Sequence, residues 1–312
     1  MFHWHSLAEV PAGWGPSAVT IGKFDGVHLG HVEILRQLGQ ISSTRGLKST
    51  VVTFDRHPAS LLSPEQRPAD ILSTEDRLDL IDKEKIDASL VLAFDSELAG
   101  LSPRDFVTTI LLGKLNAQAV LVGHDFRFGD NAAGDVVLLT ELGTEFGFDV
   151  VLIDDVAPVD GVRVSSSLIR ELMASGDVAH AAQLLGRLPR VNGEVVHGEK
   201  RGRELGFPTA NLSQESTGLV PSDGVYAGWF LDGDHRYAAA ISVGTNPTFE
   251  GANKRTVEAF LLDQNLDLYG HHVTIEFAAH IRGMVAYNGI EPLIEQMHDD
   301  VRVTREILGL GK

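Results

Sequence analysis

Cysteine is missing from the sequence altogether, which excludes disulfides and thiolate metal sites. Basic residues are scarce: 26 Lys and Arg stand against 43 Asp and Glu, for a formal charge of −17. A general nucleic-acid binder needs a basic face to displace counterions, so nucleic acid is not expected as a partner. Phosphate-bearing small molecules are not excluded, because a local pocket can invert the average field. No apolar run approaches the roughly 20 residues needed to cross a bilayer. The opening stretch MFHWHSLAEVPAGWG lacks the basic and apolar regions of a signal peptide. The expectation is a soluble, cytoplasmic protein without a membrane partner. Its 312 residues, 43% of them hydrophobic, suffice for two domains with separate cores.

Two halves follow different rules. From about residue 17 to 186, short β-rich runs alternate with helical patterns. The runs are Ala18–Gly22, Ser49–Phe54, Ser89–Phe94, Ala119–Gly123 and Asp149–Asp154; the helical patterns are His31–Arg45, Thr74–Lys85, Pro103–Leu115 and Asp135–Gly147. This alternation predicts a parallel sheet covered by helices, with ligands bound beyond the carboxyl ends of the strands. After about residue 187, β-rich stretches separated by Gly, Asp and Asn turns predict a small antiparallel barrel. One amphipathic segment, Ile290 to Leu308, closes the chain as a helix. The predicted domains are therefore 1–186 and 187–312, joined near Leu185–Pro189.

In the first half, GKFDGVHLGH (22–31) directly follows the first strand. Gly26 and Gly30 allow tight turns and close backbone approach. His31 falls near a helix N-terminus, where amides and the helix dipole favour phosphate. Paired with His28, it can donate hydrogen bonds to charge developing on a transferring phosphate. A metal site is a poorer reading, because no third ligand stands at helical spacing. VGHDFRFGDNAAGD (122–135) again follows an apolar strand, and its Asp125 and Arg127 fit a substrate loop. GVRVSSSLIRELMASGD (161–177) sets serines and arginines around a helix start. Ser165 fits an N-cap, and the rest reads either as ordinary solvation or as a triphosphate grip with Arg163 or Arg170.

In the second half, GEKRGRELGFPTANL (198–212) interleaves Lys200, Arg201 and Arg203 with Gly198, Gly202 and Gly206. This reads as a cationic flap over a nucleotide or as a solvated hairpin. Next, Phe207-Pro208-Thr209-Ala210-Asn211 places a hydroxyl and an amide two residues apart, on one side of an extended segment. Both offer oxygen to a hard cation such as Mg²⁺.

The motifs GKFDGVHLGH, VTFDRHP, VGHDFRFG and VRVSSSLIRE, in this order and spacing, resemble the adenylylating half of bacterial bifunctional riboflavin kinase/FAD synthetases. The resemblance implies an α/β, Rossmann-like nucleotidylyltransferase domain that transfers AMP from ATP to FMN, giving FAD and pyrophosphate. It implies catalytic roles for His28 and His31, and nucleotide contacts from Gly22, Phe24, Asp25, Gly26, Gly30, Ser165, Ser166 and Arg170. His57, Asp125, Arg127 and Arg163 match substrate-side positions. The later segments GFPTANL, GVYAG, ISVGTNPTF and RTVEAFLLD resemble the riboflavin-kinase half of the same family. That match implies ATP-dependent phosphorylation of riboflavin to FMN. It makes Glu258 the general base and Thr209 and Asn211 the Mg²⁺ ligands. Nucleotide contacts fall to Gly198, Lys200, Arg201 and Gly206, and flavin-side contacts to Phe207, Pro208, Asn246 and Arg282. Two departures stand out: Arg56 replaces a usual proline in VTFDRHP, and Met284 holds a usually acidic position in IRGMVAYNG. Other readings stay open at this stage: one surviving activity, a flavin sensor without catalysis, or AMP transfer to another phosphorylated vitamin.

Overall fold

The computed structural model describes residues 1–62, 65, 67–154, 161–198, 206–245 and 255–311. Tertiary contacts divide the chain into two compact units, Met1–Ser165 and Ser166–Lys312.

The described residues of the first unit contain a six-stranded sheet, all of it parallel. Its strands are β1 (Phe2–Trp4), β2 (Ser17–Ile21), β3 (Lys48–Phe54), β4 (Ala88–Leu92), β5 (Ala117–Gly123) and β6 (Asp149–Ile153), ordered β1-β4-β3-β2-β5-β6. Every residue of β2 and β4 is buried, because helices cover both faces of a parallel sheet. That burial is why these strands read as continuous apolar runs and not as alternations. The exceptions in β2 are hydroxyls that find partners: Ser17 Oγ donates to the Leu115 carbonyl at 2.6 Å and Thr20 Oγ1 to the Leu121 carbonyl at 3.0 Å.

The crossovers carry α1 (Leu29–Arg45), the short α2 (Ala59–Leu62), α3 (Thr74–Lys83), the short α4 (Ser96–Ala99), α5 (Pro103–Asp105) and α6 (Val136–Phe146). Gly46 ends α1 and Gly147 ends α6, both in the left-handed conformation that suits glycine at a helix C-terminus. The chain leaves β2 in one direction to build β3 and β4, and returns on the other side of β2 to build β5 and β6. The order therefore reverses between β2 and β5, and in sheets of this kind ligands bind at that point, beyond the carboxyl ends of the strands. GKFDGVHLGH leaves the end of β2, and GHDFRFG leaves the end of β5. The topology thus brings two separately predicted segments to adjacent strands.

Two features differ from the sequence expectation. β1 pairs with β4 although no strand is expected before residue 17; at three residues it is too short to show a period. The segment predicted as one helix from Pro103 to Leu115 makes a single α-turn and continues as a π-helix over Phe106–Leu112, with Gly113 N donating to the Thr108 carbonyl at 3.0 Å. Four consecutive β-branched residues, Val107 to Ile110, crowd the tighter α spacing.

The second unit begins with α7 (Ser166–Ser175) and α8 (Val178–Leu185). α8 packs on α7 and on the last strand of the barrel that follows, which is why the division between the units falls before these helices and not at residue 186. The closed antiparallel barrel runs β10-β11-β8-β7-β12-β9, from β7 (Arg190–Val196), β8 (Thr209–Leu212), β9 (Gly224–Asp232), β10 (His235–Thr245), β11 (Arg255–Leu261) and β12 (His272–Arg282). β11 shows the alternation a small barrel requires: Val257, Ala259 and Leu261 are buried, while Thr256, Glu258 and Phe260 are only partly covered. β9 and β12 approach so closely that a Cβ on Gly228 would stand 2.0 Å from the Glu276 carbonyl oxygen. The last helix, α9 (Ile290–Ile307), packs against β9, β10 and β12.

Candidate functional site

The loop after β2 is held in an unusual shape. Phe24 (φ 51), Gly26 (φ 81) and Val27 (φ 38) all lie in the left-handed region, and a β-branched residue there is strained. Phe24 and Asp25 are nearly fully buried. Asp25 Oδ1 accepts the Ile71 amide at 2.9 Å, so this carboxylate braces the loop. Lys23 pairs with Asp70 at 3.5 Å, and its ammonium pKa is lowered, first by burial and next by the nearby Arg77 guanidinium.

The strained turn delivers His28 as the N-cap of α1. Its Nδ1 accepts the His31 amide at a long 3.4 Å. The two imidazoles stack with ring centroids 3.7 Å apart. Gly30 makes room for this arrangement, since a Cβ there would stand 3.1 Å from His28 Nδ1 and Cε1. With Nδ1 used as an acceptor, a neutral His28 carries its proton on Nε2, where it can donate to a phosphate oxygen. Both rings thus sit at a helix N-terminus whose first amides have no intrahelical partner.

On the neighbouring strand, the loop after β5 folds back through a Phe128–Gly134 bridge. Asp125 Oδ2 accepts from Arg163 Nη2 at 2.6 Å, and Arg127 pairs with Asp135 at 3.5 Å. The two residues matched to substrate, Asp125 and Arg163, therefore meet each other. His57 stands just before α2, its Nδ1 accepting the Ala59 amide at 3.1 Å. Arg56 turns back on Asp55 at 3.0 Å and stays exposed, so the charge that replaces the usual proline is neutralised within its own loop. Ser165 immediately precedes α7, in the N-cap position, while Ser166 and Arg170 lie on α7 itself and belong to the second unit.

In the second unit, β8 alternates as expected: Thr209 and Asn211 are partly covered, Ala210 and Leu212 buried. Glu258 of β11 lies directly opposite Asn211 in the register, and its Oε2 accepts from Thr209 Oγ1 at 3.3 Å. Asn211 Nδ2 donates to the Thr209 carbonyl at 3.3 Å. Gly198 lies against this amide so tightly that a Cβ would come within 2.5 Å of Asn211 Nδ2. Lys200, Arg201 and Asn246 fall outside the described residues.

Two cavities meet at Thr209, which lines both. One, of about 60 Å³, is bordered by Gly198, Pro208, Asn211, Gln264 and Tyr269 and is predominantly polar. The other, of about 290 Å³, is largely apolar and lies between the outer face of the barrel and α9, with Glu258 in its wall beside Phe207, Phe260 and Tyr287. Its volume is that of a small-molecule site of modest size. Arg282 lines it, gripped by Asp300 through two bonds of 2.8 and 2.7 Å and lying near the Tyr287 ring. Met284 lines it too, half exposed. Hence Phe207 and Pro208, adjacent in sequence and both matched to the flavin side, face different cavities. Asp300 gives no signal in the sequence, because the segment QMHDDVRV reads as a solvated helix face. Gly206 sits at the start of this region with φ +86.

The family model of FAD synthetase matches residues 11–168, and that of riboflavin kinase matches residues 185–308. The bifunctional riboflavin kinase/FMN adenylyltransferase of Escherichia coli strain K12 is 34% identical over 309 residues, covering 99% of this chain and 97% of the relative. The protein of the same description from Listeria monocytogenes is 34% identical over 288 residues, covering 92% and 91%. A crystal structure from Streptococcus pneumoniae, described as a macrolide-efflux protein, superposes with a TM-score of 0.88 at 30% identity, covering 97% of this chain and 98% of that one. No helix among the described residues is long and apolar enough to cross a membrane.

Proposed function

The chain belongs to the bifunctional riboflavin kinase/FMN adenylyltransferase family, and from that premise we propose how its residues divide the two reactions. The enzyme phosphorylates riboflavin with ATP to give FMN, then transfers AMP from a second ATP to FMN, giving FAD and pyrophosphate.

The observation that carries the kinase assignment is the 3.3 Å contact between Thr209 and Glu258 where a polar and an apolar cavity meet. The apolar cavity takes the flavin ring, with Phe207, Phe260 and Tyr287 as its aromatic lining. The polar cavity takes the terminal phosphate of ATP. Riboflavin's 5′-hydroxyl then faces the γ-phosphate at the shared wall. Glu258 accepts the hydroxyl proton as the new oxygen–phosphorus bond forms and the bond to the β-phosphate oxygen breaks, releasing ADP. Thr209 and Asn211 supply neutral oxygen atoms on one face of β8 beside a carboxylate. That donor set fits Mg²⁺, which takes few protein ligands and completes its shell with phosphate and water oxygens. When bound, the ion would neutralise charge on the transferring phosphoryl group. Arg282, fixed by Asp300, walls the flavin side.

For adenylyl transfer, an FMN phosphate oxygen attacks the α-phosphorus of ATP and pyrophosphate departs. The step needs positioning and charge stabilisation without a covalent intermediate. His28 and His31 supply donors at the N-terminus of α1. Asp125 and Arg163 exchange their mutual ion pair for contacts with FMN.

Chromatographic separation of products tests this reading. Incubation with riboflavin, ATP and Mg²⁺ is expected to give FMN first and FAD later, and incubation with FMN, ATP and Mg²⁺ to give FAD directly. FMN as the sole product of the first and no product from the second would limit the enzyme to its kinase half.

A further inference from the structure

Arg77 on α3 is only 1% exposed, yet no carboxylate among the described residues lies within ion-pairing distance of it. Asp25, Asp70 and Asp55 act on it only through space, and burial outweighs them. Its guanidinium is spent mainly on backbone carbonyls. Nη1 donates to the Lys23 carbonyl at 3.1 Å, and Nη2 donates to the Phe54 carbonyl at 2.6 Å and to Thr74 Oγ1 at 3.2 Å. The Lys23 carbonyl takes a second bond from Thr53 Oγ1 at 3.1 Å, and Thr74 Oγ1 reaches on to the Asp55 carbonyl at 3.3 Å.

These acceptors are not scattered. Lys23 opens the strained loop that ends in His28, and Phe54 is the last residue of β3, immediately before Asp55, Arg56 and His57. One planar fork thus fixes the departure points of two loops from adjacent strands. Burying a cation without a paired counter-ion costs several kcal/mol after relaxation, about as much as a few good core contacts return. An apolar side chain of similar volume would stabilise the core at least as well. Stability alone therefore does not account for arginine here, whereas loop geometry does. The left-handed Phe24 and Val27 are strained and persist only where their surroundings over-determine them.

We infer that Arg77 is a positioning residue for adenylyl transfer: it holds the loop that presents His28 and His31 in register with the loop carrying His57. The inference rests on the reading that the histidine loop performs that transfer. A lysine can keep the charge but cannot span two carbonyls in one plane.

The test is the single-turnover rate constant for FAD formation from FMN and saturating ATP, with the full-length enzyme in excess. That constant does not depend on the folded fraction, so a merely destabilised protein leaves it unmoved. Arg77→Met is expected to lower it about 100-fold, the size of effect an ångström of misplacement produces. Arg77→Lys should recover part of the loss, and Thr74→Val should show a smaller one. Rate constants for Arg77→Met and Arg77→Lys within threefold of the native enzyme would overturn the proposal. If Arg77→Met does not fold, Arg77→Lys decides by the same threshold. His28→Ala in the same assay separates the two levels: a native rate there sinks the histidine reading itself, whereas loss there with unchanged Arg77 variants sinks only the role of Arg77.

Discussion

His28→Ala and His31→Ala are each expected to reduce FAD formation from supplied FMN by about 100- to 1,000-fold, the range seen when one preorganised donor to a developing oxyanion is removed. FMN formation from riboflavin should stay within about twofold. The size of the effect follows from geometry. His28 is buried and caps α1, and its ring stacks on His31 at 3.7 Å, so the pair acts as one rigid donor surface. Removing either ring also loosens the other, and the double variant should be little worse than either single one. His28→Asn is the control for capping, since asparagine restores the N-cap bond without the imidazole. If His28→Asn recovers native FAD formation, His28 serves the helix and not the transfer. Equal loss of both products in the alanine variants would contradict the division of labour.

Glu258→Ala is expected to lower riboflavin phosphorylation by about 100- to 10,000-fold, the contribution of a positioned general base. FAD formation from supplied FMN should be preserved. Glu258→Gln fills the same space and can still meet Thr209, so it separates proton transfer from packing. Both variants should be similarly impaired if the carboxylate takes the proton. A glutamine variant with native turnover would reduce Glu258 to an anchor for Thr209. Steady-state rates of FMN appearance, with riboflavin and ATP varied separately, read this directly.

Much of the fold and of the candidate site is legible in the amino-acid order alone. Parallel strands buried on both faces leave unbroken apolar runs, and for that reason β2 to β5 are recognisable within a residue or two at most ends. The alternation in β8 and β11 follows from the barrel's single buried face, and it places Thr209 and Asn211 on one side. What stays hidden has physical causes too. β1 is three residues long, so its pairing with β4 is a tertiary fact with no local period. Arg77 sits in TEDRLDL, where charged neighbours make it look like a solvated face. Its burial depends on how α3 lies against the ends of β2 and β3. Asp300 is concealed in the same way, and only the barrel brings it to Arg282. The change of pattern near residue 186 and the contact division after Ser165 differ because α7 and α8 continue the helical pattern while packing with the barrel. Arg56 shows the converse: its departure from the family is plain in sequence, but only the structure shows the charge folded back onto Asp55.

The most direct measurement mixes two disabled enzymes. His28→Ala and Glu258→Ala proteins, each incubated alone with riboflavin, ATP and Mg²⁺, should yield FMN only and no flavin nucleotide, respectively. An equimolar mixture at concentrations giving micromolar FMN should make FAD, because FMN from the first protein is adenylylated by the second. FAD from the mixture would establish two separable reactions carried by the residues named here. A mixture that makes no FAD, while Glu258→Ala also fails on supplied FMN, would contradict the account.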